Sequence, residues 1–291
     1  MKKQDIARQI LFLTVRIETV NAAGARGSGT GFFFSTPITK DLHAHYIITN
    51  RHVIEGAQKG SLFFFEKEGN QAKLGKMIQH DIDKFESVWI QHPDPSVDLV
   101  AMACGSIYSH YESISRGIYY KYLVESNIAT SEEIEAMSGI EEVVFIGYPN
   151  GIWDSLNGLP VARKGISATP IEYDFEGHKE FVIDASVFGG SSGSPVFTYK
   201  HGVFQKHGQL MNGPAIQFVG VVRAVFFRKE RNEIVKVPAP TYHADAVDTR
   251  EMLDLGLVIK ASRVLELVRH AESLYSPFRN TGTTISQENP T

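Results

Sequence analysis

A chain of 291 residues that is 43% hydrophobic and 21% charged has the composition of a soluble globular protein, with apolar material for one large domain or two small ones. Its formal net charge of −4 gives no support to nucleic acid as a partner, since such binders carry clustered excess Lys and Arg. The single cysteine, Cys104, excludes an internal disulfide.

Met1-Lys2-Lys3 opens like a secretion signal, but Asp5 and Arg8 interrupt it and the apolar run Ile10 to Val15 stops at Arg16. No run approaches the roughly 20 apolar residues of a membrane span. The expectation is a cytoplasmic protein with no membrane partner. Short runs rich in Val, Ile, Phe and Tyr then succeed one another, punctuated by Gly, Pro, Asn and Asp. They predict strands over Leu11 to Val20, Thr30 to Phe34, His45 to Thr49, Ser61 to Phe65, Ser87 to Gln91 and Leu99 to Ala103. After a strand-poor connection, Gly105 to Ser138, come Glu142 to Tyr148, Phe181 to Ala185, Pro195 to Tyr199, Gln217 to Phe227 and Leu255 to Lys260. Many short strands in series imply an all-β sandwich or barrel.

Two helices are predicted. Ser131 caps a short one to Met137, with acids in its first turn. Ser262 caps the second, Arg263 to Leu274, where Val264, Leu265, Leu267, Val268 and Ala271 form an apolar stripe. The polar tail, residues 276–291, reads as disordered.

The chemistry gathers at three places. Gly189-Gly190-Ser191-Ser192-Gly193-Ser194-Pro195 suits a serine on a tight turn whose backbone N–H groups face an oxyanion, because glycine allows the turn and a weak hydroxyl nucleophile needs such donors. Thr49-Asn50-Arg51-His52 places a histidine at the end of an apolar strand, and Asp98-Leu99-Val100-Ala101 places a carboxylate before another. Each alone is a turn, a core residue or a cap; together, in the order His, Asp, Ser, they describe a nucleophile, a base and an orienting acid. Asp94 is a rival acid in the same loop.

With Gly27-Ser28-Gly29-Thr30-Gly31-Phe32 before the histidine and Val219-Gly220-Val221-Val222 after the serine, this series resembles the trypsin-like serine peptidases. Asp184-Ala185-Ser186 and Gly165-Ile166-Ser167-Ala168 are similar to the bacterial high-temperature-requirement (Deg) type, here without its C-terminal PDZ domain. The resemblance implies two six-stranded antiparallel β-barrels, about 1–115 and 138–261, followed by the helix 263–274, in one domain spanning 1–275. It implies a serine endopeptidase acting on protein or peptide substrates, with Ser192 as nucleophile, His52 as general base, Asp98 as orienting acid, and the N–H groups of Gly190 and Ser192 as the oxyanion hole. Substrate side chains would meet Ser186, Val222 and Arg223. A neutral Ser186 argues against a preference for Lys or Arg, and Arg223 either favours an acidic group or is solvated or ion-paired. Ser191 stands where digestive members carry an aspartate that pairs with a new N-terminus, so no N-terminal processing is expected.

No cofactor or metal is expected: His43 and His45 form a His-x-His pair without a third ligand. Cys104 reads as a small buried residue, and Gly147 to Gly151 as a turn. Two other functions are weighed. One is a catalytically silent scaffold that binds peptides or partners. The other is an esterase using Ser191, at the centre of Gly-x-Ser-x-Gly, with His243 and Asp245 or Asp248; the scarcity of helical patterns argues against it. A cytoplasmic endopeptidase needs restraint, so a regulatory partner, assembly or a blocked resting site is expected.

Overall fold

Three consecutive phenylalanines show how the core is organised. Phe32 and Phe34 join one apolar cluster, whereas Phe33 joins another. Side chains alternate along a strand, so this strand is buried on both faces. Ile48 and Ile47 divide in the same way on the neighbouring strand. Strands enclosed on both faces become near-continuous apolar runs, which is why these segments stand out in the sequence.

The computed structural model describes residues 6–39, 42–187, 189–200, 202–206, 209–213, 215–231 and 248–275. The first half contains β1 (Thr14–Asn21), β2 (Arg26–Pro37), β3 (His43–Thr49), β4 (Ala57–Glu68), β5 (Gln71–Asp83), β6 (Ile90–Gln91), β7 (Val100–Ala103) and β8 (Ile118–Tyr119). The second half contains β9 (Glu142–Gly147), β10 (Val161–Ser167), β11 (Glu180–Asp184), β12 (Pro195–Lys200), β13 (Val203–Lys206), β14 (Gln209–Asn212), β15 (Ala215–Arg231) and β16 (Asp248–Lys260). Helices α1 (Ile6–Gln9), α2 (Arg51–Ile54), α3 (Gly105–Ser113), α4 (Ser131–Glu135) and α5 (Ala261–Tyr275) complete the framework.

The second half closes into a six-stranded barrel in the order β10-β11-β16-β15-β12-β9, with β13 and β14 forming a separate hairpin. The first half is an eight-stranded antiparallel sheet, β5-β4-β1-β2-β3-β7-β6 with β8 paired to β4. Of the two six-stranded barrels expected, one is seen closed; among the described residues the first half forms an eight-stranded sheet, and no pairing that closes it is seen. A shared cluster joins the halves: Phe32, Phe34 and Ile48 meet Phe197, Phe218 and Val221. The stripe of α5, Val264, Leu267, Val268 and Ala271, packs on it too.

Several elements depart from the sequence expectation. The longest strand of the first half, β5, is polar and mostly exposed; it is held by its ladder with β4 rather than by an apolar face. β10 also alternates without a strong apolar signal. The connection 105–138 contains α3, β8 and α4. Over Ser87 to Gln91 only Ile90–Gln91 is strand, because a 3-10 turn occupies Phe85–Val88. The cap of α4 is Thr130, not Ser131: its hydroxyl accepts from the Glu133 N–H at 3.2 Å while the Glu133 carboxylate accepts from the Thr130 N–H at 3.1 Å, a reciprocal pairing. Ser262 likewise lies inside α5, which starts at Ala261. The tail 276–291 and the esterase residues His243 and Asp245 lie outside the described residues.

Candidate active site

Sheet register brings His52 and Asp98 to one edge. Thr49, the last residue of β3, pairs with Val100, the first of β7, so the chain leaving β3 emerges beside the chain entering β7. Asn50 Nδ2 donates to the Asp98 carbonyl at 2.8 Å, and Arg51 Nη1 donates to the Pro95 carbonyl at 2.8 Å. Chain direction then turns into α2, where the His52 backbone N–H donates to Asp98 Oδ1 at 3.0 Å and the ring Nδ1 lies 2.6 Å from Oδ2. One carboxylate therefore holds both the backbone and the ring of the same histidine. A carboxylate acceptor makes Nδ1 the protonated ring nitrogen and leaves Nε2 without a proton in the neutral ring. The Asp98 side chain is 9% exposed and that of His52 45%: the carboxylate is enclosed and the imidazole is open to solvent. Asp94 does other work, accepting from the Ser96 N–H and hydroxyl at 3.0 and 2.7 Å in a local turn.

The serine loop is docked from both halves. Gly193 N–H donates to the Val222 carbonyl and Val222 N–H to the Ser194 carbonyl, each at 2.9 Å, extending the β12–β15 ladder to the loop. From the first half, Thr30 N–H donates to the Ser192 carbonyl at 2.9 Å and its hydroxyl to the Gly190 carbonyl at 3.1 Å. That hydroxyl also accepts from the Tyr148 N–H at 3.0 Å. Gly190 and Gly193 have φ of +79° and +85°, a region open to glycine. Among the described residues, neither the Gly190 nor the Ser192 backbone N–H has an acceptor.

Ser192 and His52 line the same cleft of about 480 Å³, with Asp98, Val187, Val222 and Arg223. The Ser192 hydroxyl donates to the Arg223 carbonyl at 3.4 Å; no hydrogen bond joins it to His52 among the described residues. The site thus presents an oriented imidazole, a serine facing the same space, and two unengaged N–H groups on the serine's own turn.

A family model described as a trypsin-like peptidase domain matches residues 29–204, a span that includes His52, Asp98 and Ser192. The chain belongs to the trypsin-like peptidase family. No curated protein sequence matches. Among solved structures, an HtrA-type protease, AlgW with a tripeptide, is similar at 15% identity and a TM-score of 0.48, covering 90% of this chain and 61% of that one. The active form of the Rv3671c protease from M. tuberculosis is similar at 18% identity and a TM-score of 0.43, covering 91% and 82%. The chain therefore spans about three fifths of the length of the HtrA-type structure.

In this trypsin-like peptidase the three expected specificity residues are placed differently from one another. Val222 is buried and lines the cleft. Ser186 is exposed and lies outside the residues lining it; the next residue, Val187, turns in instead, with its side chain against Gly256 and in the same apolar cluster as Ile183. Arg223 lines the cleft, but its guanidinium is ion-paired: Nη1 donates to Glu180 Oε1 at 2.6 Å and Nε lies 3.8 Å from Asp98 Oδ2. The sequence reading missed Glu180, which has no local signature beyond an acid at the start of a strand. It also missed Thr30 as a strut, although the Gly-rich segment around it was noticed.

The remaining candidates have structural roles. His45 and His43 stack at 6.4 Å, and burial, then His43, holds the His45 imidazole below its usual range. No cluster of three metal-ligating side chains occurs among the described residues. Cys104 is fully buried and donates to the His45 carbonyl at 3.2 Å; burial pushes its thiol up to about 12. No described helix is long and apolar enough to cross a membrane.

Proposed function

We propose that this chain is a serine endopeptidase that cuts protein or peptide substrates through an acyl-enzyme. Ser192 attacks the scissile carbonyl while His52 Nε2 takes the hydroxyl proton. The N–H groups of Gly190 and Ser192 bind the oxyanion, and His52 returns the proton to the leaving amine. Water then repeats the sequence on the acyl-serine. Asp98 fixes the ring tautomer and faces the imidazolium that forms. The single observation that supports this most directly is one buried carboxylate gripping both the backbone and Nδ1 of His52, in the cleft that Ser192 shares.

Val187, Val222, Ala224 and Val225 line the cleft beside Ser192, which favours apolar side chains in the substrate. The Ser191 side chain is buried and its hydroxyl has no hydrogen-bond partner among the described residues. A serine there cannot form an ion pair with a released amino terminus, so activity without N-terminal trimming belongs to the same reading. So do a cytoplasmic setting and control by a partner protein.

A fluorophosphonate probe tests the proposal on the full chain. Ser192 is expected to be labelled, and Ser192→Ala to be unlabelled. In peptide-library cleavage the same substitution is expected to abolish turnover, since loss of a triad serine costs on the order of a millionfold. The second reading, a silent peptide-binding scaffold, draws on the Ser192 hydroxyl facing the Arg223 carbonyl rather than the imidazole. Peptide binding with no probe labelling would establish that reading and end the first.

A further inference from the structure

Arg223 touches both ends of the proposed triad. Its carbonyl accepts from the Ser192 hydroxyl at 3.4 Å, and its Nε lies 3.8 Å from Asp98 Oδ2. That oxygen is the one 2.6 Å from His52 Nδ1. At the other end of the guanidinium, Nη1 donates to Glu180 Oε1 at 2.6 Å. The side chains of Asp98 and Glu180 are 9% and 11% exposed. One planar cation therefore stands between two enclosed carboxylates on different halves of the molecule.

The distances are unequal, and the inequality has a consequence. At 2.6 Å the Glu180 contact is a charge-assisted hydrogen bond, whereas 3.8 Å to Asp98 is an ion pair without one. A guanidinium free to close on Oδ2 would compete with the imidazole for the same oxygen. Glu180 anchors the far end of the fork and so keeps it at ion-pair distance. A substrate carboxylate seeking Arg223 would first have to displace Glu180, which argues against recognition of acidic substrates.

Resting on the peptidase reading, we propose that Arg223 is a positioning residue that holds the Asp98 carboxylate in register with His52, and that Glu180 sets its distance. A lysine would supply the charge but not the fork. Arg223 also borders a second cavity of about 120 Å³, lined in part by His178, Lys179, Glu180 and Arg263. A small cation could therefore enter the space left by truncating Arg223 from either side.

The test uses the full chain and the rate of fluorophosphonate labelling at Ser192, resolved into a maximal rate and a half-saturating concentration. Arg223→Ala is expected to lower the maximal rate about tenfold to hundredfold, the range typical of groups that orient a reacting side chain, and to leave half-saturation within about twofold. Guanidinium ion is expected to restore much of that rate. Arg223→Lys, which keeps a cation between the carboxylates if the alanine variant fails to fold, is expected to lose less. Glu180→Gln is expected to slow labelling, and the Arg223→Ala/Glu180→Gln pair to be no slower than the worse single change, since both act through Asp98. The downfield proton resonance of His52 Nδ1–H reports the same contact without turnover and is expected to move in Arg223→Ala and Glu180→Gln. An unchanged maximal rate with weakened half-saturation would overturn the proposal in favour of ligand binding. A slowed rate with an unmoved Nδ1–H resonance and no recovery with guanidinium would overturn it in favour of a cleft wall. Should the wild type resist the probe while that resonance still moves on substitution, the positioning inference stands and the peptidase reading falls.

Discussion

Gly193 shows how little freedom the serine loop has. Its φ is +85°, and a Cβ added there would collide with the Thr30 carbonyl oxygen and with Thr49 Oγ1. Both obstacles come from the first half of the molecule, so relaxing the clash means undocking the loop. Gly193→Ala is expected to cost more than about 1 kcal/mol and to abolish probe labelling; an unchanged urea midpoint with normal labelling would contradict this. Cys104 is the opposite kind of residue, close-packed and chemically idle. Its thiol is pushed from 9.0 up to about 12 by burial, so the native protein is expected to resist iodoacetamide at pH 8 and to react once unfolded in urea, as mass spectrometry can track. Linkage gives a second consequence. Above pH 9 the unfolded state loses the thiol proton while the native state keeps it, so stability falls as pH rises from about 9 toward 12. At this scale the grouping of His52, Asp98 and Ser192 in one cleft was legible in the sequence because the proton transfer proposed for them needs particular side chains, and few types supply them. Glu180 was not, because a carboxylate at the start of a strand looks the same whether it faces solvent or a buried guanidinium.

Among the elements, α5 and β5 mark the range of legibility. Val264, Leu267, Val268 and Ala271 repeat at helical spacing and are all essentially fully buried, so the periodicity and the packing agree. Leu267→Ala is expected to destabilise by about 2–5 kcal/mol, measured by denaturant unfolding. A loss below about 1 kcal/mol would mean that the helix can shift to fill the space. β5 carries no such signal. Its stability comes from pairing with β4 from Lys59↔Asp83 to Glu68↔Gln71, and backbone hydrogen bonds leave no mark on side-chain type. Thr130 makes the same point on a smaller scale. The sequence marked the start of α4 to within one residue, but a Thr next to a Ser offers two caps, and only the geometry of Glu133 selects between them.

Taken as a whole, the molecule combines an eight-stranded sheet with a closed barrel across a shared core. Three histidines distributed over the first half, half-buried His45 and His80 and buried His92, are all held below the usual imidazole range, with burial the leading cause. Below pH 6.5 the unfolded chain binds protons that the native state refuses, so stability rises with pH through this window and is lost as pH falls. The thermal midpoint is therefore expected to drop between pH 7.5 and 5; a flat midpoint across that range would show that these imidazoles titrate alike in both states.

The sequence by itself determined which chemistries are present and in what order, that the chain is built of strands, and that a helix ends the described part, because side-chain type and short-range periodicity are local properties. Only the tertiary structure decided that the Ser192 hydroxyl faces the Arg223 carbonyl, that Ser186 turns away from the cleft while Val187 turns in, and that Arg223 bridges Glu180 and Asp98. It also decided the strand order of the two halves and the closure of the second into a barrel. These features depend on contacts between residues far apart in the chain, such as Thr30 and Gly190, 160 positions apart. Partners at that separation are selected by how the two halves close on one another, and no single segment encodes that closure.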